Sequence, residues 1–254
     1  MKRIDLNCDM GEVPKAISDG TQEALMPFLT SVNVACGGHA GDLHTMKATV
    51  EQALRWRLTV GAHPGYPDRA NFGRSELNLP AEKIADSVFE QVRALSKVAA
   101  DCGAEVSHVK PHGALYNQAA KNRALAQAIV DGIARWSHDV VLVGLAGSAM
   151  LGVFQEAGFR IAAEAFVDRR YETDGTLRSR GFDDALIRDP MDAAEQALSI
   201  AQQGTVLGRD GAQIAVSAET LCIHGDTPGA VQIAAAVAAA LRNAGVDLRP
   251  LSRE

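Results

Sequence analysis

The fold this sequence predicts is an α/β fold: a single closed or nearly closed parallel barrel of about seven strands, one domain over residues 1–254. Three observations predict it. Short β-branched runs alternate with longer helical patterns along the whole chain. No linker, low-complexity tract or charge block interrupts them. Nearly every strand-like run also ends in a glycine-punctuated segment of Asp, Asn, His and Lys. An open doubly wound sheet gathers its chemistry at one switch point, whereas a closed barrel turns the loops of all its strands toward one centre. At least five of the seven strand ends carry reactive groups, so closure is the better account.

The strand-like runs are Arg3 to Asn7, Ser31 to Ala35, Leu58 to Ala62, Val106 to Val109, Val140 to Val143, Arg160 to Ala165 and Thr220 to Ile223. Between them the apolar period lengthens. From Glu82 to Asp101, Ile84, Val88, Val92, Leu95 and Val98 recur at steps of three and four and so share one helical stripe. Asp189-Pro190 and Thr227-Pro228 each set a capping residue before a proline, the pattern of a helix start. Those two helices are expected to stop near Gly204 and Gly245. Right-handed crossovers then make the sheet parallel.

The hydrophobic fraction is 47% and the charged fraction 22%, which lets a soluble chain of this length bury a sizeable core. The net charge of −6 is mixed along the chain with no basic patch, so nucleic acid is discounted as a partner. No apolar run approaches the ~18–20 residues that cross a bilayer, so no membrane span is expected. The stretch from Met1 to Asp5 lacks the apolar region of a signal peptide, and a cytoplasmic location is the expectation. Cys8, Cys36, Cys102 and Cys222 form no C-x-x-C pair and read as reduced thiols. Three of them lie in or beside the polar segments, which keeps a thiol nucleophile as an alternative.

In the first polar segment, Asp5, Asn7 and Asp9 alternate along a strand and share a face. Two close carboxylates raise one pKa and supply a general base unless a cation intervenes; the alternative is that Asp5 fixes neighbouring backbone and Glu12 is solvated. The second and third segments bring His39, Asp42 and His63, with glycines beside both histidines. With Asp9 the two imidazoles could form a metal triad; without metal they orient a water and carry its proton. His44 and His138 read as structural or surface residues. Lys110 and His112 end the fourth strand, Lys110 meeting developing negative charge or else pairing with Asp9 or Asp42. Asn117 reads as a helix cap.

Asp168-Arg169-Arg170-Tyr171 opens a long polar stretch to Gly181, a lid or a partner surface. Arg169 is its anion contact, unless it only pairs with Asp168. His224-Gly225-Asp226-Thr227-Pro228 opens onto a helix whose free N–H groups favour an anion. Asp226 and Thr227 have capping as the simpler role, whereas His224 has none and belongs with the active groups. There is no G-x-x-x-x-G-K-[ST] stretch and no G-x-G-x-x-G after a strand, so neither a P-loop nor a dinucleotide site is recognisable.

These segments, in this order, resemble the LamB/YcsF family. The likeness rests on Asp5-Leu6-Asn7 with Asp9 and Gly11-Glu12, Ala35-Cys36 with His39-Ala40-Gly41-Asp42, and Gly61-Ala62-His63-Pro64-Gly65. It continues through Val109-Lys110-Pro111-His112-Gly113-Ala114-Leu115-Tyr116, Asp168-Arg169-Arg170-Tyr171 with Asp174-Gly175, and His224-Gly225-Asp226. Gly38 and Leu43 depart from it, standing where Phe and Pro are expected in many members; they change loop packing without removing a candidate group.

The resemblance implies a barrel similar to the glycoside hydrolase/deacetylase barrel. It also implies ATP-dependent 5-oxoprolinase activity, opening 5-oxo-L-proline to L-glutamate together with partner subunits B and C. A five-membered lactam is a poor electrophile, and phosphorylating its carbonyl oxygen creates a leaving group. With no P-loop, ATP is expected to bind in an unrecognised way, to be shared with a partner, or to be handled chiefly elsewhere. On this reading Asp9 with His39 or His63 deprotonates water, and Lys110, His112 and Arg169 bind carboxylate, oxyanion or phosphate. His224 and Asp226 complete the proton relay, with Asn7, Glu12 and Asp42 as further substrate or anion contacts. A divalent metal stays open, as do two other readings: a free-standing metal-dependent deacetylase or amidohydrolase using Asp9, His39 and His63, and a barrel that only binds a ligand and regulates partners.

Overall fold

The computed structural model describes residues 2–251; Met1 and residues 252–254, which the single-barrel reading includes, lie outside the described residues. The strands are β1 (Arg3–Met10), β2 (Ser31–Ala35), β3 (Thr59–His63), β4 (Val106–Val109), β5 (Val141–Leu145), β6 (Arg160–Phe166), β7 (Thr205–Leu207), β8 (Gln213–Ala215), β9 (Thr220–His224) and β10 (Asp247–Leu248). The helices are α1 (Pro14–Ser18), α2 (Leu43–Arg55), α3 (Ala81–Asp101), α4 (Gly113–Ala119), α5 (Arg123–Ala134), α6 (Ala149–Glu156), α7 (Pro190–Leu198) and α8 (Ala230–Asn243).

Strands β1 to β6 pair parallel in chain order, β9 pairs with β6, and β9 returns to β1, so seven parallel strands close the barrel. Every strand-like run of the sequence falls on one of these seven. The hairpin β7–β8 and the short β10 beside β1 complete the sheet structure and were not expected. The hairpin turn carries its own signal in Asp210-Gly211: the Asp210 side chain accepts from Ala212 N–H and Gly211 takes φ +81°.

β1 explains the barrel's two faces. Ile4, Leu6, Cys8 and Met10 join the apolar cluster that also takes in the helices, and alternation turns Asp5, Asn7 and Asp9 the other way. The stripe Ile84, Val88, Val92, Leu95 and Val98 of α3 is buried as its period predicts. α7 starts at Asp189, whose side chain accepts from the N–H groups of Met191 and Asp192. It continues through a π turn, Ser199–Gln203, to Gly204.

Thr227-Pro228 does not start α8. Gly229 takes φ +79°, a turn that glycine makes without strain, and the helix begins at Ala230. Thr227 instead donates its hydroxyl to Asp168 at 2.8 Å. Asn117 likewise sits inside α4, and Asn122 caps the next helix by accepting from Ala124 and Leu125 N–H.

The barrel's interior layer is polar and fully wired. Asp5 accepts from the hydroxyls of Thr30, Ser31 and Thr220. Asn7 donates to Glu164 and Thr220 and accepts from Asn33, while His108 bonds Asn33 at 2.8 Å. A buried polar group without a partner costs about 1–3 kcal/mol, so such a layer is stable only when its bonds are complete.

Burial pushes Asp5 up to about 6 from an ordinary 3.8, although its three hydroxyl bonds favour the charged form. A carboxyl raised in the folded state stabilises fully below 3.8, and that contribution is lost as pH rises through about 6. The loss is on the order of 3 kcal/mol. Denaturant unfolding of Asp5→Asn across pH 4–8 should therefore show this part of the decline flattened; a slope identical to wild type would remove Asp5 as its source.

Candidate active site

The C-terminal ends of β1, β3, β4, β6 and β9 surround a cavity of about 730 Å³. Asp9, Glu12, His63, Lys110, His112 and His224 line it, each delivered by a strand end or the loop beyond.

Lys110 is the cation at its floor. Its ammonium lies 2.9 Å from Asp9, 2.8 Å from Glu164 and 3.1 Å from the Cys222 sulfur. Burial opposes the charge, but the carboxylates of Asp9 and Glu164 outweigh it and hold Lys110 well above the usual lysine range. For Asp9 burial works the other way. The charges of His63 and Lys110 prevail, and Asp9 is held well below the usual carboxylate range. Tyr116 donates to the second oxygen of Glu164 at 2.8 Å.

Three histidines pack beside it. His39 stacks on His112 with ring centres 3.6 Å apart, and His63 meets both edge-on. A carbonyl oxygen can only accept, so His63 Nδ1–H donates to the Lys110 carbonyl at 2.8 Å and His112 Nε2–H to the Phe72 carbonyl at 2.9 Å. The remaining nitrogens, His63 Nε2 and His112 Nδ1, therefore face each other at 3.0 Å. One proton must lie between them, or a cation must take both lone pairs.

The surrounding charges choose His63 for that proton. Burial alone would lower His63, but Asp9 at 3.3 Å and Glu12 at 3.8 Å raise it. Burial dominates at His112, which is lowered. His39 is driven down to about 4, burial outweighing its bond to Glu12. Burial would raise Glu12, yet the imidazoles of His112 at 3.2 Å and His39 at 2.9 Å hold it far below its usual value.

His224 forms a second acid–imidazole pair. Asp168 is fully buried, receives His224 Nδ1–H at 2.9 Å, and also accepts the His224 backbone N–H and the Thr227 hydroxyl. Burial would raise Asp168, but His224's charge and hydrogen bonds keep it lowered. One ring nitrogen of His224 comes within 4.8 Å of an Asp9 oxygen.

Most sequence-derived site residues meet here, with instructive exceptions. Asp42 is outside: it caps α2 in a reciprocal box with Thr45, and it makes no pair with Lys110. Asn7 lies in the barrel interior, where its carboxamide oxygen faces Lys110 at 3.4 Å, and it does not line the cavity. Glu12, for which solvation was the alternative, is ringed by imidazoles. Arg169 lines the cavity without pairing with Asp168. Asp226 pairs with Arg74 at 2.7 Å and Arg180 at 2.9 Å at the mouth, and the charge of nearby His224 also helps lower it.

Asp168 and Tyr116 stand in the sequence runs without being singled out for the site, Glu164 lies unremarked inside the sixth strand-like run, and Arg74 and Arg180 were missed. A charged residue inside an apolar strand, as Glu164 is in β6, was the available signal. The cysteines are free thiols. Burial pushes Cys36 up to about 12 and Cys8 and Cys222 well above the ordinary thiol value, so none is a ready thiolate nucleophile. Gln91 clasps the backbone of Gly65 beside Gly38, filling the space a larger residue at 38 would need.

Two donor sets have the composition of a metal site: Glu12, His39, His63 and His112, and separately Asp9, Cys222 and His224. The first fits a divalent ion, because the lone pairs of His63 and His112 converge beside a carboxylate. The second does not, because the Lys110 ammonium already touches both Asp9 and Cys222.

A closed parallel barrel with carboxylates, imidazoles and a lysine converging at its C-terminal mouth defines a barrel enzyme with acid–base machinery. The chain belongs to the LamB/YcsF family, whose sequence model matches residues 4–254. A relative from Chloroflexus aggregans, named as the A subunit of 5-oxoprolinase, is 47% identical over 98% of this chain and 99% of its own. The crystal structure of a lactam utilization protein from Thermus thermophilus superposes with TM-score 0.91 at 39% identity, covering 98% of this chain and all of that one. A family 4 carbohydrate esterase from Streptomyces lividans, at TM-score 0.52 and 10% identity over 99% of this chain and 94% of its own, shares the fold. Among the described residues no helix is long and apolar enough to cross a membrane.

The histidines should separate on titration. By nitrogen-15 NMR, His39 should stay neutral down to about pH 4, its stabilising contribution present above 6.5 and lost as pH falls toward 4. His63 should keep its proton above the ordinary imidazole range. The reverse order would overturn the placement of the shared proton.

Proposed function

We propose that this chain is the A subunit of a cytoplasmic ATP-dependent 5-oxoprolinase, hydrolysing 5-oxo-L-proline to L-glutamate with partner subunits B and C. It acts as one barrel domain. The observation that carries the reading is the pair of acid–imidazole units, Asp9–His63 and Asp168–His224, flanking the Lys110 ammonium, in a chain nearly half identical to proteins named for that same component of 5-oxoprolinase.

Phosphoryl transfer from ATP to the lactam oxygen makes the ring carbon electrophilic. Water then adds to that carbon and the ring C–N bond breaks as its nitrogen takes a proton, leaving an acyl phosphate that a second water hydrolyses to the carboxylate and inorganic phosphate. His224 accepts the proton of the water, its tautomer fixed by the Nδ1–H bond to Asp168 and its charge supported by the same carboxylate. His63, the protonated imidazole, supplies the proton that the departing nitrogen needs, and Asp9 and Glu12 set its charge. Lys110 stabilises the oxyanion in a site where little water screens it. His112 and His39 keep Glu12 ionised and His63 oriented. A divalent ion held by Glu12, His63 and His112 would supply Lewis acidity and a more acidic bound water.

That donor set favours a second reading, a metal-dependent amidohydrolase acting alone. Metal analysis of the purified chain followed by chelation separates the two: stoichiometric metal with partner-independent turnover would favour the second.

In the reconstituted complex with ATP and 5-oxoproline, Asp9→Asn should abolish glutamate release while circular dichroism stays unchanged. Asp168→Asn should lower kcat by about 10²–10⁴, the scale of losing the carboxylate behind a catalytic histidine. Near-normal turnover in either variant would remove that residue from the scheme.

A further inference from the structure

We propose that Arg169 and Arg180 form the seat for the carboxylate of an acidic lactam, and that Asp226 holds Arg180 until substrate takes over its ion pair. This deepens the lactam reading above by assigning the groups that select the substrate's acid.

Arg169 is a buried cation without an anion. It is 7% exposed and lines the cavity; its guanidinium donates to the Arg178 carbonyl at 2.6 Å, and its Nε is buried with no partner. The adjacent Asp168 gives its oxygens to His224 and Thr227 instead. Burial, and then the like charge of Arg180, push Arg169 down to about 10. An isolated buried charge is costly, and so is an orphaned donor; a carboxylate at this position relieves both.

Arg180 supplies the other half. It and Arg74 share one oxygen of Asp226, at 2.9 and 2.7 Å, and that carboxylate is partly open to solvent. When Arg180 turns to a substrate, Asp226 keeps Arg74, so the exchange strands no charge. Arg178, between the two on the same segment, is already committed to Glu172 and Asp184 at 2.8 and 2.6 Å. The mouth therefore sets Arg169, Arg180 and Arg74 against the acids Asp226 and Glu76. Guanidinium forks match a planar carboxylate, and a substrate held there by its acid can point its lactam carbonyl toward Lys110.

The test compares 5-oxo-L-proline with carboxylate-free 2-pyrrolidinone in the reconstituted complex with ATP. Wild type should prefer the acid by about tenfold or more in kcat/KM. Arg180→Gln, at a partly exposed position, should raise KM for 5-oxoproline by about ten- to a hundredfold and leave any 2-pyrrolidinone turnover near wild type. Arg169→Lys, which keeps the charge and loses the fork, should raise the same KM less than Arg169→Gln. An unchanged KM in Arg180→Gln, or an equal loss on both lactams, would overturn the seat.

If the wild-type complex releases no glutamate, the function fails separately from the seat. Titration calorimetry of the purified chain then decides: 5-oxoproline binding that weakens in Arg180→Gln supports the seat. No binding, or inorganic phosphate binding in its place, overturns it.

Discussion

The buried ammonium of Lys110 between Asp9 and Glu164 is the interaction on which the rest of this molecule is arranged. It links β4 to β1 and β6 across the barrel interior, with both contacts shorter than 3 Å. Removing one partner of such a pair leaves an uncompensated buried charge, at a cost of about 3–5 kcal/mol. The same residue also orients the chemistry through its backbone: its carbonyl takes the Nδ1 proton of His63 and leaves Nε2 for the site. One lysine thus fixes the ionisation of Asp9 and the tautomer of His63.

From that constraint the division of roles follows electrostatically. Asp9 and Glu12 are held as carboxylates by the lysine and imidazoles around them, and their charge keeps the extra proton on His63 rather than on His39 or His112. Across the cavity, Asp168 fixes one nitrogen of His224. Two imidazoles held by different carboxylates therefore face one space, which is what a reaction needs when it takes a proton from water and returns one to nitrogen. The fold positions them by register: Asp9 lies opposite His224 across β1 and β9, and Asn33 opposite Asp9 across β1 and β2.

The long segment after β6 ties this chemistry to the surface. Bridges between Arg169 and Leu186 and between Tyr171 and Leu177 fold it back on itself, so its arginines stand at the cavity mouth in ordered positions. Its first residue outside the apolar stretch, Asp168, bonds His224, and Arg169 with residues 176–181 lines the cavity. A segment readable from its composition only as lid or partner surface thus contributes both to the acid–imidazole pair and to the rim.

The seven barrel strands and the α3 stripe were legible in the sequence, because alternation and helical period are local properties that burial enforces. The convergence of Asp9, His63, Lys110, His112 and His224 was legible too, since a parallel barrel brings its strand ends to one face. What the sequence left open were choices of partner. Asp42 and Thr227 both sit beside a helix start in the chain, yet Asp42 caps its helix and Thr227 bonds Asp168 instead. Glu12 reads equally well as solvated or buried until three imidazoles from other loops are placed around it. Strand, helix and strand-end chemistry are set by residues within a few positions of one another. Ionisation, tautomer and ion-pair partner are set by groups that meet only after the barrel closes.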